Sequence, residues 1–137
     1  MQDRRVAAAR LWAIQQELQR IEQWKLADLQ RQLGELEQQQ QGLLRAPIDV
    51  DELQDLLLAA RARRLQRLAQ EIARVRQQSE QQARQLMQQT GRAKLAANLS
   101  QRADRDARRV AEGKELSRLL EESVGRALQA SGKIAGR

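Results

Sequence analysis

Leu43-Leu44-Arg45-Ala46-Pro47-Ile48-Asp49-Val50-Asp51-Glu52 is the stretch that decides the fold, because here one helix must stop and another can start. Pro47, the only proline in the chain, cannot sit in a helix interior and pushes Ala46 out of the α region. Arg45 stands where a cation favours a helix C-terminus. Asp49 followed three residues later by Glu52 has the form of a capping box, which opens a new helix. So short a connection makes the flanking helices antiparallel neighbours. The expected architecture is all-α: a helix over about 3–45, a turn at 46–49, and a helix over about 50–124. A frayed tail over 125–137 is signalled by Gly125, Ser131-Gly132 and Gly136.

Outward from the turn, both arms carry coiled-coil spacing. In the first, Leu11, Ile14, Leu18 and Ile21 recur at alternating gaps of three and four, the period of a heptad seam. The phase slips around Trp24-Lys25-Leu26 and resumes at Leu29, Leu33, Leu36 and Leu43, which predicts a local stutter. In the second arm, Leu65, Leu68, Ile72 and Val75 begin a phase that continues through Ser79, Gln82, Leu86, Gln89, Ala93, Ala96, Ser100, Ala103, Ala107 and Val110. That seam is Leu-rich near the turn, then small and polar. An Ala position buries far less apolar area than a Leu position, so the far part is expected to be weakly held.

At 1.5 Å per residue the first helix spans roughly 65 Å and the second roughly 110 Å. Paired outward from a turn at 46–49, Leu36 should lie near Leu58. Residues from about Ala96 onward should then overhang as the longer end of an antiparallel coiled-coil hairpin.

Composition narrows the function. The chain of 137 residues has two Trp and no Phe or Tyr, so side chains for a thick globular core are nearly absent. Leu and Ala against Gln, Arg and Glu is the mixture of long helices. With no cysteine, disulfides and thiolate metal sites are excluded, which suits a reducing cytoplasm. With no histidine either, and no nucleotide-binding or nucleophile-elbow motif, no catalytic, cofactor-binding or metal-ligating residues are expected. No stretch approaches the ~20 apolar residues that cross a membrane, and Met1 to Ile14 does not read as a signal peptide.

The net charge of +7 points to an anionic partner. Residues 1–45 hold 7 basic and 6 acidic side chains, whereas 46–95 and 96–137 each hold 9 and 6, so the excess lies on the second arm. Dilution by 18 acidic residues and the lack of an aromatic stacking platform argue against nucleic acid. On the second arm Arg102, Arg105 and Arg109 share a face, beside Arg108, Arg92 and Lys94. They form either a solvated face or one that meets an anion or an acidic protein. The overhang carries Leu95, Leu99, Leu116, Leu119, Leu120, Val124 and Leu128, an apolar strip that marks a partner site or self-association. Trp12 and Trp24 pack on the other helix or anchor a partner.

A shorter helix, a Pro-containing turn near one third of the chain and a longer helix rich in Arg, Lys and Glu resemble the FliJ/YscO family. These are the stalk proteins of flagellar and injectisome type III secretion. Gly91-Arg92-Ala93-Lys94-Leu95, then Gln101-Arg102-Ala103-Asp104-Arg105-Asp106-Ala107-Arg108-Arg109 and Gly113-Lys114-Glu115-Leu116, are similar to the family's second-helix pattern. The resemblance implies a non-enzymatic coupling protein at the cytoplasmic face of a membrane-embedded apparatus. Its helix termini would enter the export ATPase hexamer, its hairpin end would face the export gate, and it would handle export chaperones. In that setting Arg4, Arg5, Arg10, Arg102, Arg105 and Arg109 are the residues expected to meet the ATPase. Flagellar members use aromatic residues near the hairpin end, and this chain has no Phe or Tyr, which favours an injectisome member. A generic self-associating coiled-coil scaffold or adaptor is the alternative.

Overall fold

The computed structural model describes residues 2–47 and 54–135, and their architecture is a helical hairpin with the second helix longer. Helix α1 runs over Gln2–Arg45 and helix α2 over Gln54–Ala135. The expected capping box of Asp49 and Glu52, and the helix start at residue 50, lie outside the described residues. Arg61 reaches back across the connection and donates to the Ala46 carbonyl at 2.9 Å. It thereby satisfies one of the carbonyls left unpaired where α1 ends. At the other end, α2 does not stop at Gly125 but continues through Gly132 to Ala135. Neither glycine takes a positive φ. A glycine inside a helix costs only about 1 kcal/mol, which neighbours such as Leu120, Glu121, Arg126 and Ala127 can offset.

Contacts divide the chain into two units, Gln15–Ala93 and Met1–Ile14 with Lys94–Arg137. In the first unit the helices are antiparallel: Gln15 meets Gln89, Glu22 meets Gln82, Glu37 meets Arg76 and Ala46 meets Arg61. The first two pairs put the mid-point of the pairing near residue 52, about five residues beyond the expected turn centre. In this register Leu36 stands opposite Leu68, not Leu58, and Leu29 stands opposite Val75. The physical reason is seam matching. This alignment sets the Leu heptads of α1 against the Leu/Ile/Val heptads of α2, where pairing from 46–49 would offset them by more than a heptad. Val75 and Ile72 are the best-buried apolar side chains of the unit, 1% and 6% exposed, while Leu29, Leu33, Leu36, Leu65 and Leu68 are half-buried.

The α2 phase follows the sequence expectation position by position, but the start of the α1 seam does not. Gln15, Gln19, Glu22, Leu26, Leu29, Leu33, Leu36, Gln40 and Leu43 turn inward at unbroken gaps of four and three, so there is no stutter. Leu18 and Ile21, expected in the seam, sit one position off it and are exposed. Leu11 and Ile14, in the second unit, are exposed as well. Hydrogen bonding decides the phase. Gln89 donates to the Gln15 carbonyl at 3.1 Å and to its side-chain oxygen at 2.6 Å. One heptad away, Gln82 donates to the Glu22 carbonyl at 3.1 Å and also to its carboxylate. Gln19 donates to Thr90 at 3.2 Å. Apolar side chains in those α1 positions would leave Gln82 and Gln89 only their bonds to backbone carbonyls and strand the second N–H of each buried amide, at about 1–3 kcal/mol each.

In the second unit Ala96 and Ser100 are buried and Ala103, Ala107 and Val110 half-buried, so α1 is paired as far as Val110. The overhang therefore begins at Ala111, not Ala96, a direct result of the shifted register. From Ala111 to Gly132 every residue but Gly125 is exposed.

Candidate partner-binding surface

Arg4, Arg5, Arg10, Arg102, Arg105 and Arg109, and the apolar strip from Leu95 to Leu128, belong to the unit formed by Met1–Ile14 and Lys94–Arg137. Arg4 and Arg5 are adjacent on α1 and point to the two flanks of the α2 seam. Arg5 Nε donates to Asp104 Oδ1 at 2.7 Å, with both side chains about half exposed. A pair so open to water contributes at most about 1 kcal/mol, so Arg5 remains able to exchange Asp104 for another acid. Beside this pair lies a groove of about 500 Å³ whose walls include Val6, Ala9, Trp12 and Ser100.

On the opposite flank Arg4 lines a groove of about 230 Å³ with Ala103, Asp106, Ala107, Arg109 and Val110. The structure thus brings Arg4 to Arg109 and Arg5 to Asp104. Arg10 is exposed and lines neither groove. Arg102 and Arg105 are exposed, and no ion pair among the described residues involves them or Arg109. Elsewhere arginines are commonly tied within their own helix. Arg31, for instance, bonds Asp28 at 2.6 Å and Glu35 at 2.9 Å. Its guanidinium pKa is raised, first by the Asp28 hydrogen bond and then by the charge of Glu35. The contrast matters because an untied exposed guanidinium keeps its five donors for a ligand.

The apolar candidates Leu95, Leu99, Leu116, Leu119, Leu120 and Val124 are all at least half exposed. Trp12, 37% exposed, joins a groove wall, whereas Trp24 is 72% exposed. In the unit of Gln15–Ala93, Trp24 borders a Gln-lined groove of about 340 Å³ with Asp28 and Gln82. Sequence patterning missed two features here: Asp104 as the partner of Arg5, and the exposed side of α1. Both depend on register, and exposed residues such as Leu18 imitate a seam when apolar residues alone are counted.

Among the described residues no group of three or more His, Cys, Asp or Glu could hold a metal ion, and no helix is long and apolar enough to cross a membrane. What these surfaces display is charge and exposed leucine. Comparison with protein-family models, curated proteins and solved structures returns no match.

Proposed function

We propose that the chain is a central-stalk protein of the FliJ/YscO kind, a non-enzymatic coupling element of a type III secretion export apparatus. In this reading its open end enters the export ATPase hexamer, and the connection end faces the export gate. Export chaperones are further partners, and the protein works at the cytoplasmic face of the membrane. The observation that carries it is the composition of the open end. There the seam is reduced to Ala96, Ser100, Ala103, Ala107 and Val110, Arg102, Arg105 and Arg109 make no ion pair among the described residues, and α2 continues unpaired from Ala111. A stalk inside a cycling ring has to make contacts that break and re-form, and exposed guanidinium–carboxylate pairs do so at low cost. A wide apolar interface would hold the ring in one state.

The test is ATP turnover by the cognate hexameric ATPase with wild-type protein or with Arg102→Glu, Arg105→Glu and Arg109→Glu combined. These side chains are exposed, so helicity should hold while stimulation falls at least about tenfold. Equal stimulation by both proteins removes these arginines from the mechanism. Absent stimulation by the wild type turns the reading to the self-associating scaffold, which the exposed leucines of α2 also favour.

A further inference from the structure

One face of α2, in the unit of Met1–Ile14 and Lys94–Arg137, is built symmetrically about its own middle. Leu95 and Leu99 open the line, Leu116 and Leu120 close it, and Arg102, Asp106, Arg109 and Gly113 stand between them at gaps of three and four. The four leucines are at least half exposed, and the line covers about 38 Å of helix. No part of α1 covers it, since α1 packs on the adjacent seam of Ala96, Ser100, Ala103 and Ala107. The midpoint falls between Ala107 and Arg108, close to Ala111, where the overhang begins. Charges around that midpoint are untied. Arg105, Asp106, Arg109 and Glu112 make no ion pair among the described residues, whereas Asp104 and Glu115 nearby are held by Arg5 and Arg118.

We propose that this face binds a second copy of the chain, antiparallel, about a twofold axis beside residues 107 and 108. In that register Leu95 lies on the copy's Leu120 and Leu99 on its Leu116, each contact made twice by symmetry. Asp106 lies on the copy's Arg109, again twice, and Arg105 comes beside its Glu112. Arg102 meets the copy's Gly113, where a Cβ would have nothing within 4 Å and a long side chain finds room. Neighbouring registers fail. A slip of one heptad sets Leu99 on Arg109 in one direction and Leu116 on Asp106 in the other. A parallel copy sets Arg102, Asp106 and Arg109 each on itself, and like charges so juxtaposed oppose it. Self-complementarity therefore selects the occupant: leucines, charges and glycine all match about one point, as a twofold interface requires and a contact with a different protein does not. The same pairing lays the overhang of each copy along the stretch of the other that precedes Ala111. Such a dimer goes beyond the stalk reading and does not depend on it. Where both hold, copy and ring compete for Arg102 and Arg109.

The experiment is analytical sedimentation of the full chain in ~0.15 M salt, where repulsion between two chains of net charge +7 is screened beyond ~8 Å. Dimers should form over roughly 1–100 μM, the range of a small, reversible interface. Leu99→Ser with Leu116→Ser should weaken dimerisation at least about tenfold. Both side chains are exposed, so circular dichroism of the dilute protein should stay unchanged. Asp106→Arg should weaken it by about tenfold too, and adding Arg109→Asp to that variant should restore it. Direction is read with disulfides, since the chain has no cysteine of its own. Arg102→Cys chains mixed with Gly113→Cys chains should oxidise to a mixed disulfide, and neither should crosslink to itself. A wild type that stays monomeric at about 100 μM overturns the proposal and leaves the face to a different protein. Self-crosslinking of Arg102→Cys in preference to the mixed disulfide overturns it in favour of a parallel pair. Dimers that neither the leucine nor the charge variants weaken lie elsewhere on the chain and overturn it as well. A monomer that stimulates the ATPase keeps the stalk and loses the dimer; a dimer without stimulation does the reverse.

Discussion

Two stretches of the unit Gln15–Ala93 use the same heptad phase for opposite purposes. Near the connection, Leu29, Leu33 and Leu36 face Val75, Ile72 and Leu68, a seam of apolar side chains. Farther along, Gln15, Gln19 and Glu22 face Gln82, Gln89 and Thr90, and five hydrogen bonds cross between the helices. Leucine against leucine is rich in burial but indifferent to position, because a slip of one heptad finds another leucine. Glutamine against glutamine buries little apolar area but tolerates one register, since any slip strands an amide in the seam. The first stretch therefore holds the hairpin closed and the second tells it where to close.

The largest expected effect lies in the apolar stretch. Ile72→Ala removes a side chain that is 6% exposed and should cost about 2–5 kcal/mol in urea titration followed by circular dichroism. The lower end of that range fits a seam narrow enough to collapse partly around the gap. A loss below about 0.5 kcal/mol would mean that burial near the connection does not hold the hairpin, and the contrast between the stretches would fail.

The second test exchanges the chemistry of the polar stretch. Gln82→Ala should cost about 1–3 kcal/mol, because the Glu22 carbonyl and carboxylate lose their donor. Gln82→Leu with Gln89→Leu is more telling, because it removes the donors that admit only one register and puts in the seam apolar side chains that accept a slip of one heptad. Cysteines at 36 and 68 should crosslink within one molecule in the otherwise wild-type protein. In the double Leu variant, crosslinks between 36 and 75 should appear beside them, one heptad away. Unchanged crosslinking would assign register to the connection instead of the glutamines.

These two stretches also explain what patterning could read. The α2 phase was legible from Leu65 to Val110, because a few strong positions such as Ile72 and Val75 start it and nothing competes. The α1 phase was legible only from Leu29 onward. Before that, Leu11, Ile14, Leu18 and Ile21 offer a better apolar heptad than the true seam does, and only Gln82 and Gln89 on the other helix reject it. Register was misplaced for a related reason: Pro47 marks where α1 ends, but not where the pairing is centred. The candidate surface inherits both effects. Exposure of Arg102, Arg109, Leu116 and Leu120 follows from the α2 phase and was readable, whereas the meeting of Arg5 with Asp104 needed the register.

The smallest expected effect concerns that last pair, and its size is what makes it informative. Arg5 and Asp104 lie 2.7 Å apart, 55% and 43% exposed, where the seam between them is only Ala and Ser. If the pair were a structural clasp, this thinly packed region would depend on it. Water at both side chains screens the attraction, and ordering two flexible groups opposes it, so the net gain should be about 0–1 kcal/mol. Asp104→Asn keeps the shape, removes the charge, and should shift the urea midpoint barely beyond error. It should nonetheless act on recognition, because Arg5 is then left with no fixed acid beside it. Stimulation of the cognate ATPase at low salt should become equal or slightly stronger, and raising ionic strength should erase the difference. A loss of stability above about 2 kcal/mol would instead make Arg5 part of the scaffold and withdraw it from the partner-binding set.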